Sequence, residues 1–333
     1  MNWADQQYAI GRGLAGIRHK KNPKLQSLIR AAIEQQLPVL LQAATGSTFP
    51  NVSGSQLADI PFPNLETVEA EAIAAIFSAL DGKIELNRRM NETLERTARA
   101  IFKDWFVDFG PTRAKMEGRA PYLATNIWSL FPDRLDDEGK PEGWITEPLG
   151  THMSNFDSKR VPVSGGERAK RQGPFPYHGA TGVMDHVDAY LFDGIYLLVG
   201  EDGSVVKKNG LAFTQYVWGK IWVNNHAHVL QGKGSVSTEQ LLLYFQHEIV
   251  TPYITGAVQL KLSQGRMNAM PFIYAGASVC DAFATAVAPF FAKYRANADE
   301  SKMLAAMRDL LLPKLMSGEI RVKDAEKLVG EAT

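Results

Sequence analysis

Four groups of residues in this chain have types and spacings that chemistry could use. Gly11-Arg12-Gly13-Leu14-Ala15-Gly16 reproduces the Gly-x-Gly-x-x-Gly spacing with which a strand-to-helix turn cradles a dinucleotide pyrophosphate. Such a turn must open a helix and be followed by an acid at the tip of a second strand. Pro23 and a run of cations stop the helix early, and no such acid follows. Pro132-Asp133 with Glu138-Gly139-Lys140 imitates the Pro-Asp and Glu-x-Lys pattern of magnesium-dependent nucleases. Those carboxylates need adjacent strands to aim them at one ion, whereas these sit close together in a Pro- and Gly-rich stretch. His226-Ala227-His228 puts two imidazoles on one strand face. With a single cysteine, Cys280, and no third ligand nearby, they read as hydrogen-bonding histidines rather than zinc ligands. No Asn-Pro-Pro-aromatic motif for methyl transfer occurs, and no short motif joins a nucleophile, a base and an orienting group. The expectation is a chain with no catalytic centre, metal or cofactor of its own.

The fourth group is basic. Residues 6 to 33 contain Arg12, Arg18, Lys20, Lys21, Lys24 and Arg30 and no acid. A second cluster, Lys159, Arg160, Arg168, Lys170 and Arg171, is opposed only by Glu167. Both clusters could meet phosphates, and the plain alternative for each is a solvated loop surface. The formal net charge is zero, so basicity here is local rather than global. Asn224-Asn225-His226 adds amides that can donate to and accept from an adenine edge in the major groove.

The elements that must hold these groups carry an internal repeat. A constant shift of 210 positions takes Gly46 to Gly256, Ser53 to Ser263, Ile60-Pro61-Phe62 to Met270-Pro271-Phe272, Asn87 to Asn297 and Leu94 to Leu304. Each copy ends in a heptad seam with apolar ends and a polar centre. The first seam runs Ile73, Phe77, Leu80, Ile84, Asn87, Asn91, Leu94, Ala98, Ile101, Trp105. The second runs Phe283, Val287, Phe290, Tyr294, Asn297, Ser301, Leu304, Arg308, Leu311, Leu315. Two helices of about 35 to 40 residues, roughly 50 to 60 Å long, follow from the rise per residue. Helices of that length with one apolar stripe need a partner. Gly82 and Pro289 lie inside the pattern and should weaken or kink it.

Between the seams, residues 144–275 carry short apolar runs separated by Gly, Asp and Asn turns, the pattern of a mixed, β-rich domain. Ser237 to Glu248 reads as one capped helix inside it. Length, 45% hydrophobic and 22% charged residues predict two or three compact units, and no run is apolar enough for a membrane helix. A start without a signal-peptide pattern and the single cysteine point to the cytoplasm.

Asn91 to Met116 closely resembles the central spacer of type I restriction-modification specificity subunits, and Leu310-Leu-Leu-Pro-Lys-Leu-Met-Ser-Gly-Glu-Ile-Arg-Val322 resembles their distal spacer. Tyr177-His-Gly-Ala-Thr-Gly-Val183, Phe192-Asp-Gly, Glu201-Asp-Gly203 and Trp222-Val-Asn-Asn-His-Ala-His-Val229 are similar to one group of their target-recognition domains. The resemblance implies an α+β fold: mixed, β-rich target-recognition domains plus two long helices forming an antiparallel coiled-coil spacer. It divides the chain into a remnant of a first recognition domain (1–65), a central spacer helix (66–109), a linker (110–143), a second recognition domain (144–275), a distal spacer helix (276–323) and a tail (324–333). The repeat would start the first copy about 65 residues before Met1, so residues 1–65 resemble only the latter part of a recognition domain.

The function so implied is choice of a split target on double-stranded DNA, directing methyltransferase subunits and a restriction-translocase subunit. Those partners would use S-adenosylmethionine, ATP and Mg, and the spacer helices allow self-association. The alternative is a shortened structural adaptor that scaffolds methyltransferase subunits without reading a full target. Expected DNA contacts are Lys159, Arg160, Ser164, Arg168, Lys170, Arg171, Tyr177, Asn224, Asn225 and His226, with Arg12, Arg18, Lys20 and Lys21 in the remnant. Asn87, Asn91, Asn297 and Ser301 are expected to set the helix register, with Asn91 facing Asn297 and Asn87 facing Ser301 if the helices run antiparallel.

Overall fold

The computed structural model describes residues 7, 9–11, 13–43, 51–62, 65–256 and 259–330. In chain order, helices α1 (Gln26–Ala43), α2 (Gly54–Ala58) and α3 (Thr67–Phe106) precede short α4 (Gly110–Met116) and α5 (Thr125–Trp128). Strands β1 (Ile145–Pro148) and β2 (Met153–Asn155), helix α6 (Gly165–Arg168), and strands β3 (Phe175–His178), β4 (Val183–Val187), β5 (Phe192–Gly200), β6 (Thr214–Val223) and β7 (Ala227–Gly232) follow. Helices α7 (Thr238–Phe245) and α8 (Gln264–Asn268), strand β8 (Pro271–Tyr274) and helices α9 (Ala277–Met316) and α10 (Val322–Gly330) complete the chain. The shift of 210 carries α2 onto α8 and α3 onto α9 at both ends of each helix. The same residue type starts each short copy: Ser53 Oγ accepts from Gln56 N–H at 3.2 Å and Ser263 Oγ from Arg266 N–H at 3.4 Å.

The chain forms two compact units, one of residues 1–91 with 296–333 and the other of residues 92–295. In the first, Leu28 of α1, Ile73, Phe77 and Leu80 of α3, and Leu304, Leu311 and Leu315 of α9 share one buried cluster. The start of α3 therefore lies against the end of α9, and the two helices run antiparallel. Their polar centre is held by amides: Asn297 Nδ2 donates to Asn91 Oδ1 at 2.9 Å, and Asn87 Nδ2 donates to Glu300 Oε2 at 2.6 Å. Asn87 thus meets Glu300 rather than Ser301, whose hydroxyl donates instead to the Asn297 carbonyl at 2.7 Å. The carboxylate reaches in from beside the seam because Glu300 is one residue off it and long enough to find the buried amide. Arg308, counted on the seam, reaches Asp81 of α3 at 2.8 Å. Neither α3 at Gly82 nor α9 at Pro289 is interrupted. Pro289 sits on an exposed face, where water can satisfy the carbonyl that its ring leaves without a donor.

The second unit is built on a six-stranded sheet in the order β2-β7-β5-β6-β3-β4, antiparallel except where β3 runs parallel to β6. A separate ribbon pairs β1 with β8. Helix α7, capped by Ser237, buries Leu241 to Phe245 between the sheet and the rings of Phe102, Trp105, Phe106 and Phe283. In α9 the buried ring is Phe291, not the seam residue Phe290, because the heptad drifts when the partner is a broad aromatic core rather than one helix. Residues 110–143, expected as a linker, are folded instead: Ala114 and Phe131 are buried, and the Phe131 ring lies 5.0 Å from Trp105. Its prolines and glycines suggest slack, but the sparse aromatic residues between them fix the segment to the core.

Candidate nucleic-acid interface

The expected DNA contacts of the second unit lie on the turn after β2 (Lys159, Arg160), on α6 and the residues around it, on β3, and on the turn between β6 and β7. Their geometry divides them into groups held by the fold and groups that face solvent. Arg160 is held by the fold. Its side chain is 12% exposed, its guanidinium lies 2.7 Å from Glu201 and 3.5 Å from Asp157, and it donates to the Ala227 carbonyl at 2.7 Å. Arg168 is likewise engaged, donating to Asp185 at 3.0 Å and to the Val163 carbonyl at 2.6 Å while lying over the Tyr177 ring. Arg171 pairs with Asp188 at 2.8 Å and covers the Trp222 ring, yet remains partly open. Lys159 and Lys170 are exposed, Lys159 standing over the Phe156 ring.

Ser164 caps α6 with Glu167 in a reciprocal box, a local structural role. Tyr177 is buried and its hydroxyl accepts from Val163 N–H at 2.9 Å, so it too supports rather than contacts. Asn224 is buried, with its Oδ1 accepting from His226 N–H at 2.8 Å, and it shapes the turn that leaves Asn225 exposed. His226 is partly exposed and bonded to Asp202. In the first unit Arg18, Lys20 and Lys21 are exposed and belong to no ion pair of the described residues, while Arg12 lies outside them.

One cluster was missed from sequence. His228, fully buried on β7, hydrogen-bonds through Nδ1 to Asp157 at 2.6 Å and through Nε2 to the Leu262 carbonyl at 2.8 Å. Burial raises the Asp157 carboxyl, but hydrogen bonding and charge from His228, with Asn155 and the Val229 N–H, hold it below the usual carboxylate range. Asp157, Glu201 and His228 offer ligand atoms within 4.8 Å of one another, the spacing of a metal site. The Arg160 guanidinium and Lys261, 3.2 Å from Glu201, instead supply the positive charge those carboxylates need. The only sequence signal was the alternation His226-x-His228, which does not name carboxylates on other strands.

No family model matches the chain. It is 28% identical over 296 residues to the type I restriction enzyme MjaIX specificity subunit of Methanocaldococcus jannaschii, an alignment covering 84% of this chain and 65% of that one. It is 24% identical over 342 residues to the type I restriction enzyme HindI specificity subunit of Haemophilus influenzae, covering 84% of this chain and 73% of that one. The chain thus spans just under two thirds of the first relative's length. The crystal structure of a type I restriction-modification S subunit from M. genitalium superposes with a TM-score of 0.50 at 17% identity, over 89% of this chain and 74% of that one. That likeness gives the same fold.

Proposed function

We propose, from the premise that this chain belongs to the type I restriction enzyme specificity subunits, that it selects the DNA sequence on which a restriction-modification complex acts. The observation that carries this reading is an alignment with two specificity subunits that covers 84% of the chain in each case. The chain contributes recognition and no catalysis; methyl transfer, ATP-driven translocation and cleavage fall to partner subunits that bind S-adenosylmethionine, ATP and Mg. Duplex DNA meets the second unit at Lys159, Lys170, Asn225 and the partly open Arg171 and His226, and the first unit at Arg18, Lys20 and Lys21. Lysines on phosphates fix position, whereas the exposed amide of Asn225 reads a base edge.

Sequencing the methylated bases in cells that carry this gene, and in cells from which it is deleted, tests the reading. The expected result is a split motif, methylated in the first and unmethylated in the second. A methylation pattern unchanged by the deletion would overturn it.

A further inference from the structure

We infer that Met184 is a specificity-determining residue that reads the C5-methyl group of a thymine in the DNA major groove. This rests on the proposed role in selecting DNA and adds to it a contact made by carbon rather than by a hydrogen bond. Strand β4 is one of the two edges of the six-stranded sheet. Along its pairing with β3 the register shifts: Tyr177 faces Asp185 and His178 faces Val183, leaving Met184 as the extra residue of a β-bulge. Bulges re-aim one side chain and recur beside functional sites. Here the re-aimed side chain is apolar and 57% exposed, next to Val183 at 51%.

The thioether is nevertheless held in place. A Cβ on Gly179 would lie 2.9 Å from Met184 Cγ and closer still to its sulfur, so only glycine leaves room for this rotamer. Asn224 Nδ2 donates to Met184 Sδ at 3.5 Å, tying the side chain to the turn that presents Asn225. An exposed methionine would ordinarily be a mobile side chain; this one stands on a bulge, over a glycine and against a buried amide. Thr181 and His186, close to it along the β3–β4 hairpin, and Asn225, which follows the Asn224 that it contacts, are exposed hydrogen-bonding groups, with Val183 the one exposed apolar residue beside it. An apolar tip among polar groups suits a base-pair edge, where the thymine methyl is the apolar feature of the major groove.

The test uses the full chain and two libraries of random duplexes, one containing thymine and the other containing uracil, which lacks only that methyl. In the thymine library the chain should enrich a sequence in which one A·T position is favoured. The uracil library should weaken that preference about fourfold, the worth of burying one methyl group. Met184→Ala should give the same weaker preference in both libraries, and Met184→Leu should restore the difference. Equal enrichment of thymine and uracil by the unaltered chain, or a difference that persists in Met184→Ala, overturns the assignment while leaving sequence selection intact. Enrichment of no sequence at all overturns the selecting role and this contact with it.

Discussion

Arg160 shows why a cation in a basic run of sequence can be held by the fold. Its side chain sits between Asp157 and Glu201, which are only 10% and 14% exposed. Removing the guanidinium would leave Asp157 to His228 and Glu201 to Lys261, one positive charge short for two largely buried carboxylates, and that cost exceeds the loss of a surface contact. Arg160→Ala should therefore destabilise the second unit by about 3 to 5 kcal/mol in denaturant unfolding, whereas Lys170→Ala should stay within about 0.5 kcal/mol. Equal effects from the two would refute this division of roles. The same network fixes a pH dependence. The Asp157 carboxyl is held below its ordinary value of 3.8, so its contribution is fully present above that pH and is lost as pH falls through the lower folded value. Asp157→Asn should flatten the acid side of a plot of melting temperature against pH, and an unchanged acid limb would show that other carboxylates set it.

At the scale of elements, the polar centre of the helix pair trades stability for alignment. Asn297 is buried, its amide donates to Asn91, and its own Oδ1 has no hydrogen-bond partner among the described residues, a cost a leucine pair would not carry. A slipped register would put each amide against apolar neighbours, so the layer specifies which turns meet. The double substitution Asn91→Leu with Asn297→Leu should raise stability by about 1 to 2 kcal/mol and permit alternative registers. Cysteines placed at 91 and 297, with the buried Cys280 replaced by alanine, should close a disulfide within one chain. In the leucine-rich background, cysteines one heptad out of register should begin to crosslink as well. A double leucine variant less stable than the parent would count against the account.

Across the whole molecule, 36 cations balance 36 acids, and the distribution rather than the sum matters for DNA. All three arginines of the second basic cluster are paired with acids: Arg168 with Asp185, Arg171 with Asp188 and Arg160 with Glu201. What is left for phosphates is a small set of lysines, the partly open Arg171, and Arg18 in the first unit. A neutral protein should thus show a clear salt dependence of DNA binding. Each of Lys20, Lys21, Lys159 and Lys170 changed to glutamine should lower the slope of log affinity against log salt by up to about 0.9 if it neutralises one phosphate. Slopes unchanged in all four variants would move the DNA to another face.

The amino-acid sequence alone determined the repeat, the paired helices, their polar layer and the caps of the short copies, because these depend on residues three, four or seven apart and on the side chain next to a helix end. The shift of 210 that relates Ser53 to Ser263 also relates the bounds of α3 to those of α9. Candidate binding residues were less legible. In the sequence the cluster around Arg168 is opposed by Glu167 alone, since its other acids lie far along the chain: Asp185 is 17 residues from Arg168, and Glu201 is 41 residues from Arg160. Only the sheet brings those groups within hydrogen-bonding distance and so decides which cations remain for DNA. The bulge that exposes Met184 had no sequence signal either, because it arises from pairing between β3 and β4 rather than from either strand. Local periodicity fixes elements, and burial with long-range pairing decides which of their side chains are left to act.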